Sequence, residues 1–226
     1  MNGKKSFLWG FLHRRHCVVP TWRGWLLLLA ILALVATLVI RNAYDFLAMN
    51  APPQGGILVV EGWGPDYFMQ DAVTVYKSGR YDGLYATGGP LETGVELTRF
   101  QNYAELACAT LEHFGADPQS LHAVPSDGVM KDRTYTSALA LKKWLSDHNM
   151  KVNSITLITL GAHARRSHLL YQMAFGNAVK VGVISVADDD FDTRRWWTSS
   201  SGFRTVTDEM VAYFYARVLF HPPRQD

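Results

Sequence analysis

Three cationic or protonatable side chains, His163, Arg165 and Arg166, crowd one short stretch, Thr159-Leu160-Gly161-Ala162-His163-Ala164-Arg165-Arg166-Ser167. A β-branched apolar run, 155–160, leads into it, and Leu169, Leu170, Met173 and Ala174 lead out at helical spacing. The pattern predicts a strand, a tight glycine turn and a helix N-terminus. Free N–H groups and the positive end of the helix dipole favour anions there, so cations are misplaced by about 0.3–1 kcal/mol each. A bound phosphate or carboxylate would justify them. Helical phase puts His163, Arg166, Leu170 and Met173 on one face and turns Arg165 aside. His163 and Arg166 are therefore expected to contact a ligand; the alternative is a structural ion pair, with His163 capping the helix.

Other residues with chemical potential follow short apolar runs. Glu61 ends the run 57–60, where desolvation is expected to raise its pKa. It could serve as a general acid or base, bind a sugar hydroxyl, or pair with Arg166 or Arg133. Thr87-Gly88-Gly89 suits a backbone approaching a ligand closely, or an ordinary tight turn. Asp132-Arg133-Thr134 opens a helix, with Asp132 read as a cap. Arg133 is a second cation at a helix start, and Thr134 is expected to aim its hydroxyl at the same crevice. Glu61 and His163 are the catalytic candidates. Thr87, Gly88, Gly89, Arg133, Thr134, Thr159 and Arg166 are the ligand-binding ones.

Asp188, Asp190 and Asp192 alternate like calcium ligands, but the glycine and distal glutamate of an EF-hand loop are missing. A solvated acidic loop is the simpler reading. Trp196-Trp197 is expected to anchor this loop on the domain; a lid over the crevice and a membrane contact are the alternatives. There is no dinucleotide fingerprint, no Walker lysine and no zinc-type Cys/His spacing, so neither a cofactor nor a metal is expected.

The elements that must position these residues alternate along the chain. Strands are expected near 57–60, 83–87, 121–124, 155–160 and 179–186. Helices are expected from Asp66 to about Ser78, from a Thr93–Glu96 capping box through Phe114, after Asp132, after His163, and from about Thr205 to Leu219. In the last helix Val206, Met210, Phe214 and Val218 are read as the inner side. Five strand–helix repeats imply a Rossmann-like three-layer α/β domain with a mostly parallel sheet. Its ligands would sit beyond the carboxyl ends of the strands, where the strand order reverses.

Upstream, residues 1–23 are rich in Lys, Arg and His, including Lys4, Lys5, Arg14, Arg15 and His16. Residues 24–40 then run without a charge, and Arg41 closes them. About seventeen helical residues span roughly 26 Å, near the lower limit for crossing a bilayer. Trp22 and Trp25 flank the start as interfacial aromatics do. The expected organisation is a cytoplasmic basic segment (1–23), a transmembrane signal-anchor (24–41), a linker (42–56) broken by Pro52, Pro53, Gly55 and Gly56, and an exported domain (57–220). A cleaved signal peptide is the alternative. Cys17 and Cys108 fall on opposite sides of the membrane in this scheme and should not pair. The 226 residues carry a net charge of +2. That balance argues neither for nor against nucleic acid, and no nucleic-acid partner is expected.

Four features together resemble the ElyC/SanA/YdcF family of bacterial envelope-associated domains. They are the strand and Gly-containing turn from Val59 to Gly64, the Thr87-Gly88-Gly89 turn, the helix opened by residues 132–137, and a strand followed by His-x-x-Arg, His163 and Arg166. The likeness covers about residues 57–219, and His-x-x-Arg is its most specific block. Glu61 and Trp63 replace a plainer Gly-rich turn. Asp-Arg-Thr-Tyr stands where many members have Thr followed by Glu-Asn, so roles tied to that pair do not carry over. The resemblance implies a Rossmann-like domain, often on one N-terminal anchor in the bacterial inner membrane, and work in peptidoglycan, lipid-carrier or barrier biogenesis. It brings no settled reaction. Expected partners are the inner membrane and a phosphorylated, lipid-linked envelope intermediate. A non-catalytic envelope factor is one alternative; nucleotide or S-adenosylmethionine binding, known for a soluble member, is another.

Overall fold

The computed structural model describes residues 20–53, 55–79 and 81–222, together with the short antiparallel pair Ser6–Phe7 and Leu12–His13. Lys4, Lys5, Arg14, Arg15, His16 and Cys17 of the basic segment lie outside the described residues. The chain divides into two units, Met1–Ile40 and Arg41–Asp226. The first contains most of helix α1 (Trp22–Leu47), which is long and apolar enough to cross a membrane.

Helix α1 does not stop at Arg41. It runs six residues into the expected linker because Ala43, Tyr44 and Leu47 form an apolar face that the domain buries. They join Ala162, Phe191, Trp196 and Val206 in a small cluster. Past the helix, Ala51 pairs with Val183 in an antiparallel bridge, and the Ser185 N–H donates to Asn50 Oδ1 at 2.8 Å. The segment thus covers an edge strand that would otherwise be open. Gly182 permits the approach, since a Cβ there would lie 2.3 Å from Ala51 O. Polar residues and the two prolines hid these contacts from a reading by composition.

The second unit is built on a parallel sheet of β1 (Ile57–Glu61), β2 (Leu84–Gly88), β3 (Leu121–Pro125), β4 (Ser154–Leu160) and β5 (Lys180–Val186), in the order β3-β2-β1-β4-β5. Central β1 is buried along its whole length, as its unbroken apolar run requires. The period of two sends Ile57 and Val59 to one face and Leu58 and Val60 to the other. The first pair packs under α4 (Arg133–Asp147) and α5 (Ala164–Phe175), against Tyr135, Leu141, Leu170 and Tyr171. The second packs under α2 (Asp66–Tyr76) and α3 (Tyr103–His113), against Phe68, Ala72, Ala107 and Leu111. Each buried Leu, Ile or Phe contributes about 1.5–3 kcal/mol of transfer free energy. A three-layer α/β domain results, as the alternation predicts.

Three helix starts differ from expectation. Thr93–Glu96 forms no capping box; Val95–Leu97 is a single 3-10 turn with Leu97 in solvent. The helix begins nine residues later, where Asn102 accepts from the Glu105 N–H at 2.8 Å. Residues 90–102 are instead an excursion closed by the Pro90–Asn102 bridge and the Leu91 N–H to Gln101 O bond. Asp132 holds the cap position of α4 in a left-handed conformation, φ 59°, and its side chain makes no capping bond. Helix α6 (Ser200–Phe214) starts five residues early because the Ser199 hydroxyl caps the Gly202 N–H at 3.0 Å. It ends in a π turn, Tyr215–Leu219. Only Val206 of its expected inner stripe is buried; Met210, Phe214 and Val218 face solvent.

Candidate functional site

The order β3-β2-β1-β4-β5 reverses between β1 and β4, and this is where a crevice forms beyond the carboxyl ends of a doubly wound sheet. Glu61 is the last residue of β1 and Thr159 stands near the end of β4. The Thr159 hydroxyl donates to Glu61 Oε2 across that gap. The Ser167 hydroxyl, from the first turn of α5, lies 3.0 and 3.1 Å from the two carboxylate oxygens. His163 Nε2 lies 3.5 Å from Oε2. Glu61 is thus 4% exposed and held on three sides.

His163 closes the 3-10 turn Gly161–His163 that joins β4 to α5. Gly161 sits at φ +46°, and a Cβ there would lie 3.0 Å from the Tyr44 hydroxyl, so a side chain would strain the backbone and crowd Tyr44. The turn aims the imidazole back over Glu61 rather than at the helix N–H groups, and His163 makes no capping bond. Its Nδ1 meets Glu209 Oε1 of α6 at 2.8 Å. Arg166 grips the same carboxylate with two bonds, Nε to Oε2 at 2.8 Å and Nη2 to Oε1 at 2.9 Å. That bidentate geometry is the strong form of an Arg–carboxylate pair. The edge of Trp63 lies against His163, with ring centroids 5.0 Å apart. Trp63 is itself partly exposed.

Four charges therefore share a poorly solvated space: Glu61 and Glu209 against His163 and Arg166. Burial pushes the Glu61 pKa up, but the His163 charge and the hydrogen bonds from His163, Thr159 and Ser167 bring it below the ordinary value. This reverses the rise expected from desolvation alone, so Glu61 is ionised at neutral pH. Burial pulls His163 down, yet Glu61 and Glu209 overcome both burial and Arg166 and raise it to about 9. Glu209 is pulled to about 2, because His163 and Arg166 outweigh its burial. The raised pKa favours the imidazolium at neutral pH, with Nδ1–H towards Glu209 and Nε2–H towards Glu61; Arg166 Nη2 also lies 2.8 Å from Nδ1.

Glu61, Thr159, His163 and Arg166 thus meet at one point. The remaining candidates take other positions. The Thr87 hydroxyl is buried between Tyr171 Oη at 3.1 Å and Val60 O at 3.4 Å. The carbonyls of Thr87, Gly88 and Gly89 accept from the N–H groups of Gly62, Ser126 and Tyr103. This turn ties three segments together through its acceptors. Gly88 is required by packing, since a Cβ would lie 2.6 Å from Tyr103 Cβ. Arg133 pairs with Glu92 on the exposed rim. Thr134 is half-buried; the left-handed Asp132 turns Tyr135 and Ser137 inward instead, and Ser137 Oγ meets Ser126 Oγ at 3.1 Å. Arg165, turned aside as helical phase required, lies over the Phe46 ring at 3.9 Å.

Two contributors escaped the sequence reading, Ser167 and Glu209. Ser167 recurs with Leu170, Tyr171 and Ala174 at helical spacing, and these are among the buried positions of α5. Val206, Glu209 and Tyr213 share the inner face of α6, and a lone acid on that face opposite two unmatched cations was the available signal. Asp188 is buried and accepts from the Asp190 N–H, so the acidic run is not wholly solvated. Asp192 caps the turn Thr193–Thr198. No group of acidic, His and Cys side chains able to hold a metal occurs among the described residues. Trp196 is buried in the cluster with Tyr44 and Leu47, which anchors the loop. Comparison of the chain with protein-family models, curated proteins and solved structures found no match.

Proposed function

We propose that this protein is a membrane-tethered envelope-biogenesis factor whose switch-point crevice binds or processes a phosphorylated, lipid-linked intermediate. One observation carries the reading: the Glu61 carboxylate and the His163 imidazole lie 3.5 Å apart, both nearly out of solvent, where β1 and β4 diverge. Burying such charges costs several kcal/mol each unless they are paired, and a fold can fill that point with apolar side chains instead. His163 would protonate a leaving oxygen or hold a phosphoryl oxygen, Glu61 would keep its ring charged and oriented, and Arg166 would be the second cation. The resemblance in the 159–167 stretch supports an envelope role. The apolar run of α1 with basic residues before it supports an inner-membrane anchor with the domain exported.

The test uses the full chain in lipid nanodiscs, titrated with a short-chain polyprenyl phosphate. Saturable binding that weakens at least tenfold in Arg166→Ala and in His163→Gln is expected, since each removes a charge-assisted contact worth about 1.5–3 kcal/mol. Undiminished binding in both folded variants would overturn it. A reporter fused to the C-terminus tests the orientation, and cytoplasmic activity of the reporter would reverse it. Complete pairing of His163 and Arg166 by Glu61 and Glu209 favours a second reading, a non-catalytic envelope factor with a purely structural ion network. On that reading Glu209→Gln changes stability but not binding of the phosphate; on the first it frees Arg166 and tightens binding.

A further inference from the structure

An exposed apolar surface of the second unit lies on the last helical segment. Phe203, Met210, Val211 and Phe214 of α6, with Val218 and Leu219 of the π turn, are 38% to 66% exposed. At 100° per residue, 203, 210, 211 and 214 fall within one stripe, while Val206, Glu209 and Tyr213 turn to the domain. Two phenylalanines and four aliphatic side chains on one face exceed what scattered surface apolar residues explain.

The chain itself indicates what covers this stripe. Tyr213, at its border, packs edge-on against Phe46 with ring centroids 5.7 Å apart, and Phe46 is also partly exposed. Phe46 is only five positions along the chain from Arg41, where the uncharged apolar run ends. Even a fully extended chain of five residues reaches no more than about 18 Å. A bilayer crossed by α1 is therefore within reach of the stripe. The same segment carries Arg204 and Arg217, and Arg165 stacks on Phe46. Apolar and aromatic side chains bordered by arginines are the chemistry of a helix lying in the head-group region of a phospholipid surface.

We propose that the α6 stripe, Phe203 to Leu219, is a second membrane contact, docking the domain on the surface of the bilayer that α1 crosses. A second copy of the chain would also bury apolar area, but it would not account for the closeness of the stripe to the end of the apolar run. Docking would fix α6 from outside while Glu209, on its inner face, holds His163 and Arg166.

The full chain, with Cys17→Ser and Cys108→Ala, is loaded singly into nanodiscs of phosphatidylethanolamine and phosphatidylglycerol. A spin label is placed at Val211→Cys or, independently, at Leu219→Cys, both exposed positions where replacement costs little stability. The expected result is several-fold lower access of a water-soluble nickel chelate than at a Lys151→Cys control, with broadening by nitroxide-bearing lipids. Nickel access equal to the control overturns the proposal. So does protection that appears only with two copies per disc and brings label–label coupling, which would assign the stripe to a dimer. Protection without lipid broadening, or failure of the chain to enter discs, overturns it as well.

Discussion

Among the described residues, two of the arginine–carboxylate pairs near the carboxyl ends of the strands have opposite surroundings. Arg166–Glu209 has side chains only 19% and 15% exposed and joins a four-charge cluster; Arg133–Glu92 has 67% and 61% and joins nothing else described. The same chemistry has different consequences in the two places. In solvent, water and salt replace a lost partner, and the pair is worth about 0–1 kcal/mol. Under α6, a lost partner leaves a charge that nothing replaces. Chemical significance at this rim therefore follows burial and mutual contact rather than residue type, and it concentrates where the strand order reverses.

Glu209→Ala is the largest break in that comparison. It strands His163 and Arg166 and should destabilise the domain by about 3–5 kcal/mol, measured by denaturant unfolding of the detergent-solubilised chain with tryptophan fluorescence. Equality with Glu92→Ala would show the buried cluster to be no more than a surface pair. Alkaline pH comes next. The His163 pKa rises from 6.5 to about 9 on folding, so its stabilisation is complete below pH 6.5 and lost as pH climbs through 9. Roughly 3 kcal/mol should disappear across that window, and His163→Gln should flatten the profile. Glu209 gives the acid-side counterpart: its stabilisation is present above pH 4.5 and fades as pH falls towards 2.

Glu61→Gln sharpens the comparison from within the cluster. It keeps the shape and the Thr159 and Ser167 contacts while removing one charge. A cost of about 1–3 kcal/mol is expected, with the His163 titration, followed by NMR, moving down from about 9. The smallest effect belongs to the exposed pair. Glu92→Ala or Arg133→Ala should change stability by no more than about 1 kcal/mol, and less again in high salt. A larger loss would mean that the rim pair has a partner beyond Glu92.

Much of the fold was legible because it rests on local patterns. Residues 57–60 are an unbroken apolar run and read directly as a strand buried on both faces. His163, Arg166 and Thr159 could be grouped because one strand–turn–helix unit carries all three. Helix boundaries failed where two plausible caps competed. Thr93 with Glu96 and Asn102 with Glu105 are equivalent as strings, and only the closure of residues 90–102 against β2 selects the second. The inner face of α6 failed for a related reason. Met210, Phe214 and Val218 form a good apolar stripe, but a stripe does not say whether it meets the core, a lipid surface or another chain.

What the sequence determined by itself is the alternation of strands and helices, the apolar run of α1, and the placing of His163 and Arg166 after β4. These depend on periodicity and on neighbours within a few residues. What the tertiary structure alone decided is their chemistry. Glu61 is 102 residues from His163, and Glu209 a further 46 along the chain. A carboxylate's pKa is set by the charges within a few ångströms, whatever their separation in sequence. Desolvation alone predicted a raised pKa for Glu61; the approach of His163, Thr159 and Ser167 lowers it, and Glu209 turns two cations that looked misplaced at a helix start into half of a balanced cluster.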